Sequence, residues 1–254
     1  MLNFVGLIGT NSKESNNRRL LQFMQKHFAD KASIELVEID NIPLFNKPQK
    51  MKVPEVVSEL AKKIEAADGV IIATPEYDHS IPAVLQNALA WLSYGIFPMV
   101  NKPVMIVGAS LGTLGSSRAQ LQLRQILDAP ELKAAIMPGS EFLLGRAPQA
   151  FDEKGNLKDK ATVKKLDLLF DDFRLFVKLN EKMAASRELL RKEAEKVRVW
   201  GNSGKPQNAA ATAPLWLLFS GTTNAFPQMA EPVSSRGARF SQSVLTDATL
   251  VPVS

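Results

Sequence analysis

Leu2-Asn3-Phe4-Val5-Gly6-Leu7-Ile8 runs directly into Gly9-Thr10-Asn11-Ser12-Lys13-Glu14-Ser15-Asn16-Asn17. The first seven residues form a short apolar run closed by a glycine, the pattern of a strand buried on both faces. A polar stretch follows, and then Leu20, Leu21, Met24 and Phe28 recur at helical spacing. Ser15 and Asn16 are residue types that cap a helix start. Strand, polar turn and helix make the first half of a βαβ unit, which commits the sheet to parallel strands.

The pattern repeats outward along the chain. Ile34 to Ile39 alternates apolar and acidic residues, as a half-exposed edge strand does. Asn41 to Lys52, with Pro43 and Pro48, reads as a loop, and Pro54 to Ala66 as an amphipathic helix with proline in its first turn. Val70 to Ala73 and Val104 to Val107 read as buried strands, followed by helices over Ile81 to Ser93 and Ser116 to Leu127. A final strand is expected around Ala134 to Leu144, interrupted by Pro138-Gly139, and a strong amphipathic helix over Thr162 to Met183. Strands alternating with helices of this length predict an α/β three-layer sandwich on a five-stranded parallel sheet. The flavodoxin-like order 2-1-3-4-5 with right-handed crossovers fits that count.

Residues 1–183 are expected to form this domain. Residues 184–254 are expected to add a Glu-, Lys- and Arg-rich continuation of the last helix and then an irregular tail from Trp200 onward. The run Leu215-Trp216-Leu217-Leu218-Phe219 in that tail is too short to span a bilayer.

Composition narrows the chemistry. The chain has no cysteine, which removes disulfides, zinc–thiolate sites and cysteine nucleophiles. The start carries neither the basic region nor the long apolar stretch of a signal peptide, so a cytoplasmic address is expected. Formal net charge is +5, but basic residues are interleaved with acids, as in Lys62-Lys63-Ile64-Glu65. That argues against a nucleic-acid surface, which needs clustered Lys/Arg with aromatic platforms. The two histidines, His27 and His79, lie in different elements without a Ser/Asp partner pattern, which speaks against a triad or a metal centre.

Three loops follow three strands, and in an open parallel sheet strand C-termini share one edge, where ligands bind. The first offers Thr10, Asn11, Ser12, Ser15, Asn16 and Asn17 at a helix start, where free N–H groups and the helix dipole favour an anion. It has neither the Walker A nor the G-x-G-x-x-G spacing, and an ordinary capped turn also fits. The second, Thr74-Pro75-Glu76-Tyr77-Asp78-His79-Ser80, is stiffened by Pro75 and Pro82 and can present main-chain groups to the edge of a flat heterocycle. The third, Gly108-Ala109-Ser110-Leu111-Gly112-Thr113-Leu114-Gly115, allows close backbone approach, or simply tight turns.

Together these motifs resemble the NADPH-dependent FMN reductase family over about residues 1–183. The family's G-S-x-R-x-x-S-x-N corresponds to Gly9 through Asn17, with Thr10 for Ser and Ser12 for Arg. P-E-Y-N-x-S-x-P corresponds to Pro75 through Pro82, with Asp78 for Asn. The continuation K-N-A-x-D-W is Gln86-Asn87-Ala88-Leu89-Ala90-Trp91, and G-A-S-x-G-x-x-G-G-x-R is Gly108 through Arg118, with Ser116 for the second glycine. Phe151-Asp152-Glu153-Lys154-Gly155-Asn156-Leu157 resembles the family's turn before the last helix.

The resemblance implies FMN as cofactor and NADPH or NADH as hydride donor. It places the FMN phosphate on Thr10, Asn11, Ser12, Ser15, Asn16 and Asn17. The isoalloxazine would lie beside Pro75, Glu76, Tyr77 and Asp78, with Ser110, Gly112, Gly115 and Ser117 closing the far side. Lys13 or Arg18 would replace the missing Ser12 cation. No catalytic side chain is expected, because the cofactor carries the chemistry. Flavin, quinone or azo-type acceptors, ping-pong kinetics and a homodimer or homotetramer are implied too. A flavodoxin-like carrier, a non-catalytic module, and the reductase unit of a larger electron-transfer flavoprotein remain open alternatives at this point.

Overall fold

The computed structural model describes residues 1–139 and 141–201. The irregular tail expected beyond these, including Leu215 to Phe219, lies outside the described residues. Among the described residues six strands and six α-helices follow one another: β1 Leu2–Ile8, α1 Asn16–His27, β2 Ala32–Val37, α2 Glu55–Ala66, β3 Gly69–Ala73, α3 Ala83–Leu92, β4 Pro103–Ala109, α4 Ser117–Leu127, β5 Ala135–Ile136, β6 Phe142–Leu144, α5 Ala147–Ala150 and α6 Lys160–Gly201. All pairings are parallel, in the order β2-β1-β3-β4-β5, with β6 also on β4. The expected sandwich and strand order are therefore observed. The fifth strand position is shared by β5 and β6, split where Pro138 and Gly139 interrupt the ladder.

The sheet is buried on both faces because β1, β3 and β4 are apolar throughout their centres. On one side Phe4, Ile71 and Met105 pack under α1 and α6, with Leu20, Leu21, Phe28, Phe170 and Phe173. Phe28 and Phe170 stack at 3.8 Å between ring centroids. On the other side Val5, Val70 and Val104 pack under α2, α3 and α4. Two core layers of this kind hold the strand ends rigid, and it is there that the three loops meet.

The turn after α1 is also tied to α6 by charge. Lys31 Nζ lies 2.9 Å from Asp171, which accepts from Arg174 as well. Hydrogen bonding to Lys31, followed by Arg174, holds the Asp171 carboxyl below its ordinary range. A carboxylate depressed in the folded state stabilises above its unfolded pKa, and that contribution is lost as pH falls through the folded value. Asp171→Asn is therefore expected to lower stability slightly at pH 7, where exposed pairs are worth little. Parent and variant should converge only once pH has fallen through the folded-state value, which lies below the ordinary aspartate pKa of about 3.9. A gap that persists there in urea melts would reject the ion-pair account.

Candidate functional site

The β1, β3 and β4 loops converge on a cavity of about 600 Å³, within the roughly 300–1,000 Å³ of ligand pockets. Ser12, Ser15, Asn16, Asn17, Pro75, Glu76, Tyr77, Ser110 and Gly112 line it, as the motifs anticipate. Glu14, Ala109, Leu111, Thr113, Leu114, Ser116 and Arg118 complete the wall. Thr10, Asn11, Asp78, Gly115 and Ser117 are not among the lining residues; the first four lie elsewhere in the three loops, and Ser117 opens α4. A second cleft, by Arg124, Glu141, Lys165 and Leu169, shares no residue with these loops.

The first loop ends in a capped helix. Ser15 has extended backbone, and its Oγ accepts from Arg18 N–H at 3.2 Å. Asn16 and Asn17 open α1, and the first N–H groups of a helix have no intrahelical acceptor. Those amides, with the Ser12 hydroxyl, are the groups that could hold an anion. The Asn17 side chain is committed elsewhere. Its Nδ2 donates to Ala109 O and its Oδ1 accepts from Ala109 N–H, both at 2.9 Å. It fastens α1 to the end of β4 and leaves only its backbone N–H for a ligand.

Arg18 does not replace the missing cation. Its guanidinium donates to both oxygens of Glu38, at 2.6 and 2.8 Å, and to the carbonyls of Ser12 and Lys13. The Glu38 hydrogen bond holds the guanidinium charged and raises its pKa. Arg18 supports the loop from behind.

The second loop is a two-residue hairpin. Tyr77 and Ser80 exchange both backbone hydrogen bonds, at 3.0 and 2.8 Å, and Asp78 and His79 both have left-handed φ, 50° and 65°. Asn and Asp are the non-glycine residues best suited to that backbone, so Asp78 in place of Asn preserves the turn. Gln122 of α4 accepts from Ser80 Oγ at 2.6 Å and from Ile81 N–H at 2.9 Å. Tyr77 Oη and Thr10 Oγ1 are 3.3 Å apart, joining the first two loops.

Glu76 has a role that the motif did not disclose. Ser116, the N-cap of α4, makes no side-chain cap bond. Glu76 Oε2 instead accepts from the N–H groups of Arg118 and Ala119, at 3.0 and 3.4 Å. A carboxylate from the second loop thus caps the helix that the third loop opens. Asn87 and Trp91, matched in the family's continuation, clamp the 41–45 loop: Asn87 accepts from Phe45 N–H, and Trp91 Nε1 donates to Pro43 O at 2.7 Å.

The third loop separates glycines by task. A Cβ on Gly108 would meet Ser116, Gln120 and Thr74, and one on Gly115 would meet the Leu143 backbone. These two serve packing. A Cβ on Gly112 would meet nothing within 4 Å, so this is the glycine with open space at the cavity wall. Leu111 and Leu114 stand exposed around it.

Unpaired helix-start amides, hydroxyls, a rigid hairpin and an apolar rim form a donor set suited to a phosphorylated flat heterocycle. Residues 2–149 match the family of NADPH-dependent FMN reductases. The chain belongs to that family. FMN and NAD(P)H are the cofactors of this reductase fold, and the enzyme reading stands over the carrier reading. Among its relatives is a subunit of an NADH:(hydroxy)cinnamate reductase from Vibrio ruber, 52% identical over 76% of this chain and 95% of that one. Subunit 2 of an NADH-dependent flavin reductase from Lactobacillus johnsonii is 41% identical over 71% of this chain and all of that one. The flavoenzyme NAD(P)H:(acceptor) oxidoreductase FerB from Paracoccus denitrificans superposes with a TM-score of 0.63 at 29% identity, covering 72% of this chain and 98% of that one.

Proposed function

We propose that this FMN reductase binds the FMN phosphate at the start of α1 and passes electrons to a flat flavin- or quinone-type acceptor over the Leu111–Leu114 rim. The convergence of unpaired α1 amides and an exposed apolar rim on one cavity carries this reading. FMN, when bound, supplies the ring that accepts hydride from the nicotinamide and returns electrons to the acceptor.

The chain's own residues bind, orient and shield. The Asn16 and Asn17 N–H groups, with Ser12 and Ser15, meet the phosphate. Thr10 and Asn11 shape that turn, and Thr10 steadies Tyr77. Buried Pro75 and the Tyr77–Ser80 hairpin fix the strand end, so main-chain groups from Pro75 to Asp78 can address a ring edge. Ser110 and Gly112 close the opposite wall, while Gly115 and Ser117 set its course. Leu111, Leu114 and Tyr77 limit water at the ring. No side chain is assigned a proton-transfer role, because the cofactor carries the chemistry. Residues 1–183 form the reductase domain on this reading, residues 184–254 an appendage to it. A homodimer or homotetramer working in the cytoplasm, where NAD(P)H is supplied, fits as well.

Anaerobic addition of NADH or NADPH to the chain with FMN tests the proposal. Bleaching of the flavin band within seconds, with ping-pong kinetics toward quinone, is expected. Bound flavin that stays oxidised would reject it. Ser12→Arg, which places a cation beside the α1 start, is expected to tighten FMN about 5- to 10-fold, the equivalent of roughly 1 kcal/mol. Titration of apoprotein by fluorescence quenching measures this, and unchanged affinity would move the phosphate away from α1.

A further inference from the structure

The side of α6 turned away from the sheet is largely apolar, interrupted by Asp172 and Ser186. Leu168, Leu175, Leu179, Met183 and Leu190 are each 49–65% exposed. At 3.6 residues per turn they fall within an arc of about 80° and extend over about 33 Å. Leu166, Phe170, Phe173 and Val177, which enter the core, lie on the opposite face. A surface helix of a monomer carries one apolar stripe; α6 carries two, and only one is covered by this chain's described residues.

Charges within and beside the outer stripe suit a second copy of the same helix. Asp172, seven residues before Leu179, lies within the stripe about 20° from Leu179, and Arg187, eight residues after it, lies beside the stripe about 80° from Leu179 in the same sense. An antiparallel pair related by a two-fold axis at Leu179 brings Asp172 of each helix beside Arg187 of the other. It also brings Leu168 level with Leu190, and Leu175 level with Met183. Among the described residues Asp171 takes the Lys31 and Arg174 pairs, while Asp172 has no ion pair. Arg187 donates only to the neutral Asn101, at 3.0 Å. A parallel arrangement would set Asp172 against Asp172, which like charges oppose.

We propose that α6 is a self-association element, pairing antiparallel with α6 of a second copy through this outer stripe. The contact is isologous, as closed two-fold assemblies require. It is independent of the FMN cavity, which the β1, β3 and β4 loops build at the strand C-termini.

Sedimentation velocity on the full chain tests it, with FMN-reductase turnover followed in parallel. Asp172→Arg should raise the dissociation constant of the α6 contact at least 10-fold and halve the mass of the assembly at low micromolar concentration. Turnover per chain should stay unchanged. Asp172→Arg with Arg187→Asp should restore the parent constant to within about 3-fold, which nonspecific apolar association would not do. Because the chain has no cysteine, Leu179→Cys should cross-link to a disulfide dimer under mild oxidation, and Lys178→Cys far less. A parent that does not associate, an Asp172→Arg assembly of undiminished mass, or equal cross-linking at 178 and 179 would each overturn the proposal.

Discussion

Gly115→Ala is expected to destabilise the protein by about 4 kcal/mol and to abolish flavin binding at 25 °C. Gly115 has φ +60°, and an added Cβ would lie 2.5 Å from the carbonyl carbon of Leu143 and 2.7 Å from its Cα. Left-handed backbone costs an L-residue roughly 1–2 kcal/mol. Overpacking adds about 1–3 kcal/mol, and here the obstacle is strand backbone, which cannot swing aside like a side-chain tip. Leu143 belongs to β6, whose register on β4 sets the far wall of the cavity. Against a total stability of about 5–15 kcal/mol, such a loss leaves little margin. Gly112→Ala is the control, since its Cβ meets nothing within 4 Å. It should melt within about 0.5 kcal/mol of the parent and change FMN affinity instead. Urea unfolding of both variants decides the matter: equal midpoints would mean that the two glycines are not divided between packing and ligand access.

Those two glycines show where sequence reading stops. The spacing of the third motif identifies a loop that needs glycine, but Gly112 and Gly115 look alike in one dimension. Their difference is made by Leu143, 28 residues later in the chain. Strands and helices were legible because burial on both faces leaves uninterrupted apolar runs, and because a helix facing the sheet repeats its apolar positions every three to four residues. The strand order came from the fold class and not from any residue. The cavity lining was legible in nine positions because strand ends share an edge. Glu76 and Arg18 were less so. Both looked like charges available to a ligand, and both are committed inside the protein, Glu76 to backbone N–H groups at the start of α4 and Arg18 to the Glu38 carboxylate and the carbonyls of Ser12 and Lys13. Long polar side chains settle wherever unsatisfied backbone lies within reach, and that partner is set by tertiary structure.

Asn17→Ala carries the same logic to its largest polar consequence. Asn17 is buried, and its amide closes a two-bond ring with both backbone groups of Ala109, 92 residues away. Alanine would strand a buried N–H and a buried C=O at the last residue of β4. Each such group costs about 1–3 kcal/mol, so a loss of about 2–4 kcal/mol is expected in the absence of flavin. Ser15→Ala removes a helix cap and should cost about 1 kcal/mol. Asn17→Asp separates the two bonds, because it still accepts from Ala109 N–H but sets a carboxylate oxygen against Ala109 O, so it should be no better than alanine near neutral pH. Both Asn17 variants should also bind FMN more weakly, because the Asn17 N–H and the Ser110 wall lose their common anchor. Apoprotein stability distinguishes this from direct phosphate contact. If Asn17→Ala weakened flavin binding while leaving the apoprotein within about 0.5 kcal/mol of the parent, the side chain would be acting on the ligand, and the anchor assignment would fail.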